Sequence, residues 1–280
     1  MREDDEPIPV ETSGIDCHEL GPGGLSETER DLIAEEPLLI AVGGSDVATL
    51  MCTPGDERDL ALGWLTTEGI IASKAEVDRI DFSRDDAWGN IVRVIPAEGS
   101  GWKGRLTAHR KVYSSCGICG HEAIREVSSC IAPFDRPAGR LTRAAIHGLA
   151  ELMRGHQRLF KRTGAVHAAA LAVVRSGGLA SETLIVKEDI GRHNALDKVV
   201  GQAVRQDTPL DRCLVMLSGR LSFEMVAKAA RAGISDLTAV SAPTGLAVEL
   251  ARDLNMFLAG FVRGELATVY AGAEAVAGDA

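Results

Sequence analysis

Between residues 183 and 270 short apolar runs alternate with stretches of helical period. Residues 183–186, 213–217, 237–240, 257–262 and 267–270 read as strands, and 194–204, 223–232 and 246–254 as helices. Such alternation requires crossover connections. It predicts an α/β sandwich around a partly parallel sheet. Just before it, residues 142–160 read as one helix with Ile146, Leu149, Met153 and Phe160 on its apolar side. A strand over 168–174 and a turn at Gly177-Gly178 follow.

The first third of the chain reads differently. Residues 38–42 and 47–51 flank Gly43-Gly44 and predict a tight hairpin. Thr53-Pro54-Gly55-Asp56-Glu57 predicts a helix start with Thr53 as the cap; Leu60, Ala61, Trp64 and Leu65 form its apolar face and Gly69 ends it. Strands are expected near residues 80–82 and 91–95. Residues 96–135 show little periodicity and read as a long connection. The expected organisation is an acidic, disordered tail (1–34), a small strand-rich domain (35–105), a linker (106–135) and an α/β domain (136–275).

Charge supports the tail reading. Residues 1–36 hold twelve acids and two bases, which accounts for the whole net charge of −10. The remaining 28 acids and 28 bases balance, so an anion site in the body is permitted. Aromatics make up 4% of the chain, which disfavours a base-stacking nucleic-acid surface. No apolar run is long enough to span a bilayer. The N-terminus lacks the basic and apolar segments of a secretion signal, so a cytoplasmic location is expected.

Ser114-Ser115-Cys116-Gly117-Ile118-Cys119-Gly120 carries the sharpest chemistry, with Arg110 and Lys111 just upstream. Two thiols three residues apart can act on one metal, one disulfide or one sulfur in transit. Nearby cations favour the reactive thiolate. Of the other cysteines, Cys213 lies in an apolar run and reads as a buried strand residue. Cys17 and Cys52 have no partner spacing, and Cys130 reads as a loop or core residue or a third ligand.

Three junctions follow strands: Glu188-Asp189-Ile190-Gly191-Arg192-His193-Asn194, Ser218-Gly219-Arg220-Leu221-Ser222, and Ser241-Ala242-Pro243-Thr244-Gly245. In an open sheet such loops gather at the carboxyl edge, where ligands bind. Helix N-termini there face anions with unpaired N–H groups, and Arg192 and Arg220 suit bidentate phosphate contacts. The plainer reading is ordinary capped turns. Asp189 and His193 read either as an acid–base pair or as a helix-start acid beside a surface histidine.

Val166-His167-Ala168-Ala169 echoes the His-x-Glu of zinc deaminases, but Ala169 stands at the glutamate position. Without that carboxylate a bound water has no proton relay, so hydrolytic deamination is not expected. Alone, His167 reads equally as a strand-end core histidine.

Taken in order, these segments resemble the formate dehydrogenase accessory sulfurtransferase family, FdhD. The likeness runs from about Glu35 to Tyr270. It also takes in Glu36-Pro37-Leu38, Glu68-Gly69-Ile70-Ile71, Arg162-Thr163-Gly164-Ala165-Val166-His167 and Ala195-Leu196-Asp197-Lys198. Gly43-Gly44 departs from an expected asparagine-glycine turn. The resemblance implies a cytidine-deaminase-like three-layer core beside the smaller N-terminal domain, and a homodimer. It also implies an activity: sulfur is accepted as persulfide from a cysteine desulfurase and passed to the molybdenum bis(molybdopterin guanine dinucleotide) cofactor for formate dehydrogenase. GDP and GMP would then act as analogues of that substrate. The family's persulfide cysteine falls on Cys116. Cys119 either resolves the persulfide or rescues the first thiol. The family's cofactor-binding segment falls on Phe261, Val262, Arg263, Gly264, Glu265 and Leu266. The strand-end residues His167, Arg192, His193, Ser218, Gly219, Arg220, Ser241 and Thr244 are expected to complete that site. No resident metal is expected.

Two other classes stand beside this one. A thiol–disulfide oxidoreductase would place its Cys-x-x-Cys at a helix start beside a βαβ unit, whereas here the motif lies in a glycine-serine stretch. A structural zinc module needs four ligands, which Cys116, Cys119, His121 and Cys130 would supply.

Overall fold

The computed structural model describes residues 12–85, 89–113, 127 and 129–278. The central element is a seven-stranded sheet built from β7 (His167–Arg175), β8 (Gly178–Leu179), β9 (Ile185–Asp189), β10 (Cys213–Leu217), β11 (Asp236–Ala239), β12 (Phe257–Arg263) and β13 (Leu266–Ala271). Its order is β13-β12-β11-β10-β7, with β8 and β9 both pairing with β7. β10, β11 and β12 run parallel; β7 and β13 run against them, and β9 is antiparallel to β7. The carboxyl ends of β9, β10, β11 and β12 therefore share one sheet edge with the amino end of β7.

Strand alternation sends side chains into two cores. Ala169, Leu171, Val173, Val215, Leu217 and Leu237 face one cluster; Ala168, Ala170, Ala172, Leu214 and Met216 face the other. Helices α5 (Arg192–Arg205), α6 (Phe223–Arg231) and α7 (Gly245–Asp253) cover the first face. Helix α3 (Arg143–His156) covers the second through Ile146, Leu149 and Met153. The result is three layers, helices–sheet–helix. Thr142 caps α3 by accepting from Ala145 N at 3.1 Å.

The single helix expected over 142–160 is instead two. Gln157, with ψ at +76°, breaks the hydrogen-bond ladder between α3 and α4 (Arg158–Thr163). Beyond the break the apolar stripe turns, and Phe160 is 46% exposed rather than buried.

A four-stranded sheet forms from β3 (Glu36–Val42), β4 (Ser45–Cys52), β5 (Val77–Asp85) and β6 (Gly89–Pro96), ordered β4-β3-β6-β5. Gly43 and Gly44 take φ of +53° and +83°, the left-handed pair that a two-residue hairpin turn requires. Helix α1 (Glu57–Thr67) follows, with Asp56 rather than Thr53 at its cap position. Residues expected to be a structureless connection contain α2 (Trp102–Tyr113). Trp102 and Leu106, one turn apart, are buried on it.

The acidic segment is also more ordered than expected. β1 (Thr12–Gly21) and β2 (Gly24–Ile33) pair antiparallel in register from Thr12↔Ile33 to Gly21↔Gly24. Arg30 pairs with Glu19 across the hairpin, and Arg162 holds Asp31 Oδ2 through Nε and Nη2 at 3.1 and 3.0 Å. Backbone pairing and these cations offset the acidic repulsion. Residues 1–11 lie outside the described residues. Among the described residues no helix is long and apolar enough to cross a membrane.

The two sheets are joined by α1 crossing α5 at glycines. A Cβ on Gly63 would lie 1.7 Å from the Asp197 carbonyl oxygen, and one on Gly201 would lie 1.8 Å from that of Asp59. Backbone cannot yield as a side-chain tip can. Gly63→Ala is predicted to destabilise the fold by at least ~2 kcal/mol through overpacking; an unchanged denaturation midpoint would contradict this crossing.

Candidate functional site

The shared sheet edge is stitched sideways by main-chain bonds. His167 opposes Asp189 in register. Ala168 N donates to Ser218 Oγ at 2.8 Å, and Ser218 N donates to Ala168 O at 2.9 Å. Leu221 N donates to Ala242 O, Thr244 N to Leu221 O, and Phe261 N to Ser241 O. Arg263 Nε donates to Val240 O at 3.1 Å. The three junctions and the end of β12 thus form one continuous rim, which brings together His167, Arg192, His193, Ser218, Gly219, Arg220, Ser241 and Thr244.

Glycine makes part of this closeness possible. A Cβ at Gly219 would meet Arg192 Cβ and Cδ and His167 Nδ1, each at 3.4 Å. Arg192 opens α5, whose cap position is Gly191 with no side-chain cap bond. Its Nε is buried and has no partner among the described residues. Ser222 stands before α6 in the same condition. Thr244 does cap α7, accepting from Ala247 N at 3.3 Å. One of the three junctions is therefore closed by its own side chain. The other two leave helix N-termini and polar groups facing the rim, a setting that favours anions. Arg220 is exposed beside them.

Both histidines are tuned toward the neutral form. Burial, then the Arg192 guanidinium, holds His167 below its ordinary value. The same two causes lower His193, against the Glu224 carboxylate 3.0 Å from its Nε2. Near pH 7 the positive charge of the rim comes from arginine, and the imidazoles serve as neutral hydrogen-bonding groups.

The Asp189–His193 pairing does not form. Asp189 is fully buried and accepts from Thr53 N at 3.0 Å, Gly191 N at 2.9 Å and Asn194 Nδ2 at 2.9 Å, with Lys198 Nζ at 2.8 Å. Lys198 also donates to Thr53 O. Asp189 thus shapes the Arg192 loop from beneath. Thr53, expected as a helix cap, instead ties the N-terminal sheet to this hub.

The segment from Phe261 to Leu266 borders the rim unevenly. Phe261 is 43% exposed at a positive φ of +53°, and Leu266 is 77% exposed. Gly264 makes the turn at φ +55°. Val262 is buried in the core on the α3 side, and Glu265 accepts from Arg143 through its carbonyl and carboxylate. Cys116, Cys119 and His121 lie outside the described residues. Among the described residues no group of three or more histidine, cysteine or acidic side chains could hold a metal. Cys52 and Cys213 are buried, and burial pushes each thiol up to about 12.

The sequence model of the FdhD/NarQ family matches residues 33–277. The chain belongs to this family. A sulfur carrier protein FdhD of Streptomyces coelicolor is 42% identical over 265 residues, covering 91% of this chain and 92% of that protein. One from Bordetella petrii is 39% identical, covering 94% of each. A crystal structure from Desulfotalea psychrophila, described as that of a candidate formate dehydrogenase accessory protein, superposes with a TM-score of 0.73. It is 23% identical and covers 95% of this chain and 100% of that one. That likeness speaks for the FdhD/NarQ fold alone. The mixed α/β class agrees with it. The buried Ala169 side chain leaves no carboxylate in this FdhD/NarQ chain at the deaminase glutamate position.

Sequence reasoning missed the roles of Thr53, Lys198 and Gln157 at this edge. Lys198 follows Asp197 in a helix, where a charged pair reads as surface. Nothing in the local pattern marks it as 1% exposed.

Proposed function

We propose that this chain carries sulfur for formate dehydrogenase. Cys116, as thiolate, attacks the sulfane sulfur of a cysteine desulfurase persulfide. A bond forms between Cys116 Sγ and that sulfur, and the desulfurase thiolate leaves. Cys119, as thiolate, then attacks Cys116 Sγ; the Cys116–Cys119 disulfide forms and the outer sulfur leaves as hydrosulfide for molybdenum bis(molybdopterin guanine dinucleotide), the substrate, held at the rim described above. The supporting observation is the meeting of Arg192, Arg220, His167 and Ser218 with two uncapped helix starts on one sheet edge. A dinucleotide cofactor presents several phosphates, and such an edge offers donors to each of them.

Arg220 is an exposed cation there. Arg220→Ala is predicted to weaken GDP binding about tenfold, the worth of one charge-assisted contact. Calorimetric titration of the full chain tests this, and an unchanged affinity would remove the second junction from the site.

A further inference from the structure

The β1–β2 hairpin lies almost wholly ahead of residues 33–277, which the family model matches. It is a two-stranded ribbon, a form that is marginal in water on its own. Both of its faces are exposed over most of their length. Strand alternation sorts its side chains. One face carries the opposed pairs Gly14↔Asp31, Asp16↔Glu29, His18↔Glu27 and Leu20↔Leu25. Arg30, the single lysine or arginine of residues 12–33, lies on the other face with Glu19. The first face is therefore a stripe of carboxylates ending in two leucines at the tip, 78% and 69% exposed. Asp16 and Glu29 stand directly opposite each other, which costs stability in a lone ribbon. One kind of surface relieves both the repulsion and the uncovered tip: a basic surface with an apolar recess.

The root of the hairpin sets where that surface meets it. Arg162 of α4 holds Asp31 at the foot of the stripe. Glu188, the first residue of the Arg192 junction, accepts from Leu159 N and Phe160 N at the start of α4, at 2.7 and 2.8 Å. After Gly164, α4 leads into His167 of the rim. One short helix thus clamps the hairpin to the rim edge. Strands of ten residues carry the tip roughly 30 Å from that root.

We propose that this acidic arm docks the cofactor-free formate dehydrogenase that receives the substrate from the rim. Charge complementarity selects this partner. A protein that takes in a cofactor with several phosphates needs cations around its entrance. An acidic stripe fixed beside the donor rim attracts such an entrance and steers it toward the rim. The inference rests on the reading that the rim holds the guanine dinucleotide cofactor for that enzyme.

The test uses the full chain and cofactor-free formate dehydrogenase, with association followed at low and high salt. Combined Asp16→Asn, Glu27→Gln and Glu29→Gln are expected to weaken association about tenfold at low salt, mainly through a slower on-rate, and to flatten its salt dependence. Leu20→Ser with Leu25→Ser is expected to weaken it about tenfold through faster dissociation. Asp16→Glu with Glu27→Asp and Glu29→Asp keeps the charges and should keep the affinity. Neutralisation removes repulsion within the ribbon, so Tm should stay unchanged or rise, which separates lost docking from lost fold.

Wild-type affinity of the neutralised chain for the dehydrogenase overturns the proposal. So does a loss seen with the cysteine desulfurase in place of the dehydrogenase. Tighter GDP binding with unchanged dehydrogenase binding also overturns it, and places the arm on the rim of a second copy. Sulfur gain and GDP affinity are expected at the wild-type level in every arm variant. If the wild-type chain neither gains sulfur nor binds GDP, the carrier reading fails. If it does both while the neutralised arm still binds the dehydrogenase normally, the arm assignment alone falls.

Discussion

Replacing Cys116 with alanine is expected to abolish sulfur uptake while leaving the fold intact. The wild-type chain, incubated with a cysteine desulfurase and free cysteine and weighed without reductant, should gain one sulfur atom. Cys116→Ala should gain none, and cells that make only this variant should contain inactive formate dehydrogenase. The reasoning is chemical. Only a thiolate attacks a persulfide at a useful rate, and the attacking sulfur must be reachable. Cys52 and Cys213 meet neither condition: both are buried, and burial pushes their thiols up to about 12. They cannot stand in at neutral pH. Cys130 is exposed, so it is the residue to watch for off-path labelling. If Cys116→Ala still takes up a full equivalent of sulfur, the carrier is another thiol. If the wild type gains no sulfur but binds one zinc per chain, the motif is structural.

The sequence displayed the main sheet well because its signals are local. Cys213-Leu214-Val215-Met216-Leu217 is five apolar residues between polar turns, and β10 spans those residues. The three junctions could be aligned because each strand is followed by a helix, and parallel strands put such turns on one edge. Long-range pairing was hidden. Asp189 and His193, four residues apart, suggest a pair; Thr53 and Lys198 reach Asp189 from distant positions and occupy its oxygens first. The β1–β2 hairpin was masked by acidity, since composition reports repulsion but not the Arg162 that offsets it. Phe160 shows how one backbone dihedral defeats a periodicity argument. Its spacing from Met153 fits a single helix, and the turn at Gln157 places it on the other side.

Lys198→Met is expected to cost about 3–5 kcal/mol of folding stability, because it leaves a buried carboxylate without its cation. Lys198 and Asp189 side chains are 1% and 0% exposed and lie 2.8 Å apart. Burial alone would push the Lys198 ammonium down; the Asp189 and Asp56 carboxylates together outweigh it and hold the ammonium above its ordinary value. A group whose folded value is raised contributes fully below its unfolded value. The pair therefore stabilises the fold at neutral pH, and its contribution disappears only as alkali passes through the raised folded value. Asp189→Asn in the Lys198→Met background removes the stranded charge and keeps an oxygen for the Gly191 N–H and the Asn194 amide, while the Thr53 N–H, bonded to the other carboxylate oxygen, loses its acceptor. Part of the lost stability should return, and a double-mutant cycle on denaturant midpoints would measure the coupling. The effect should reach the rim as well, since Asp189 accepts from Gly191 N directly beneath Arg192. GDP affinity in the single variant, taken well below its melting range, should fall with the loop's loss of register. A Lys198→Met chain with wild-type stability would mean that the pair is not what joins the N-terminal sheet to the ligand edge.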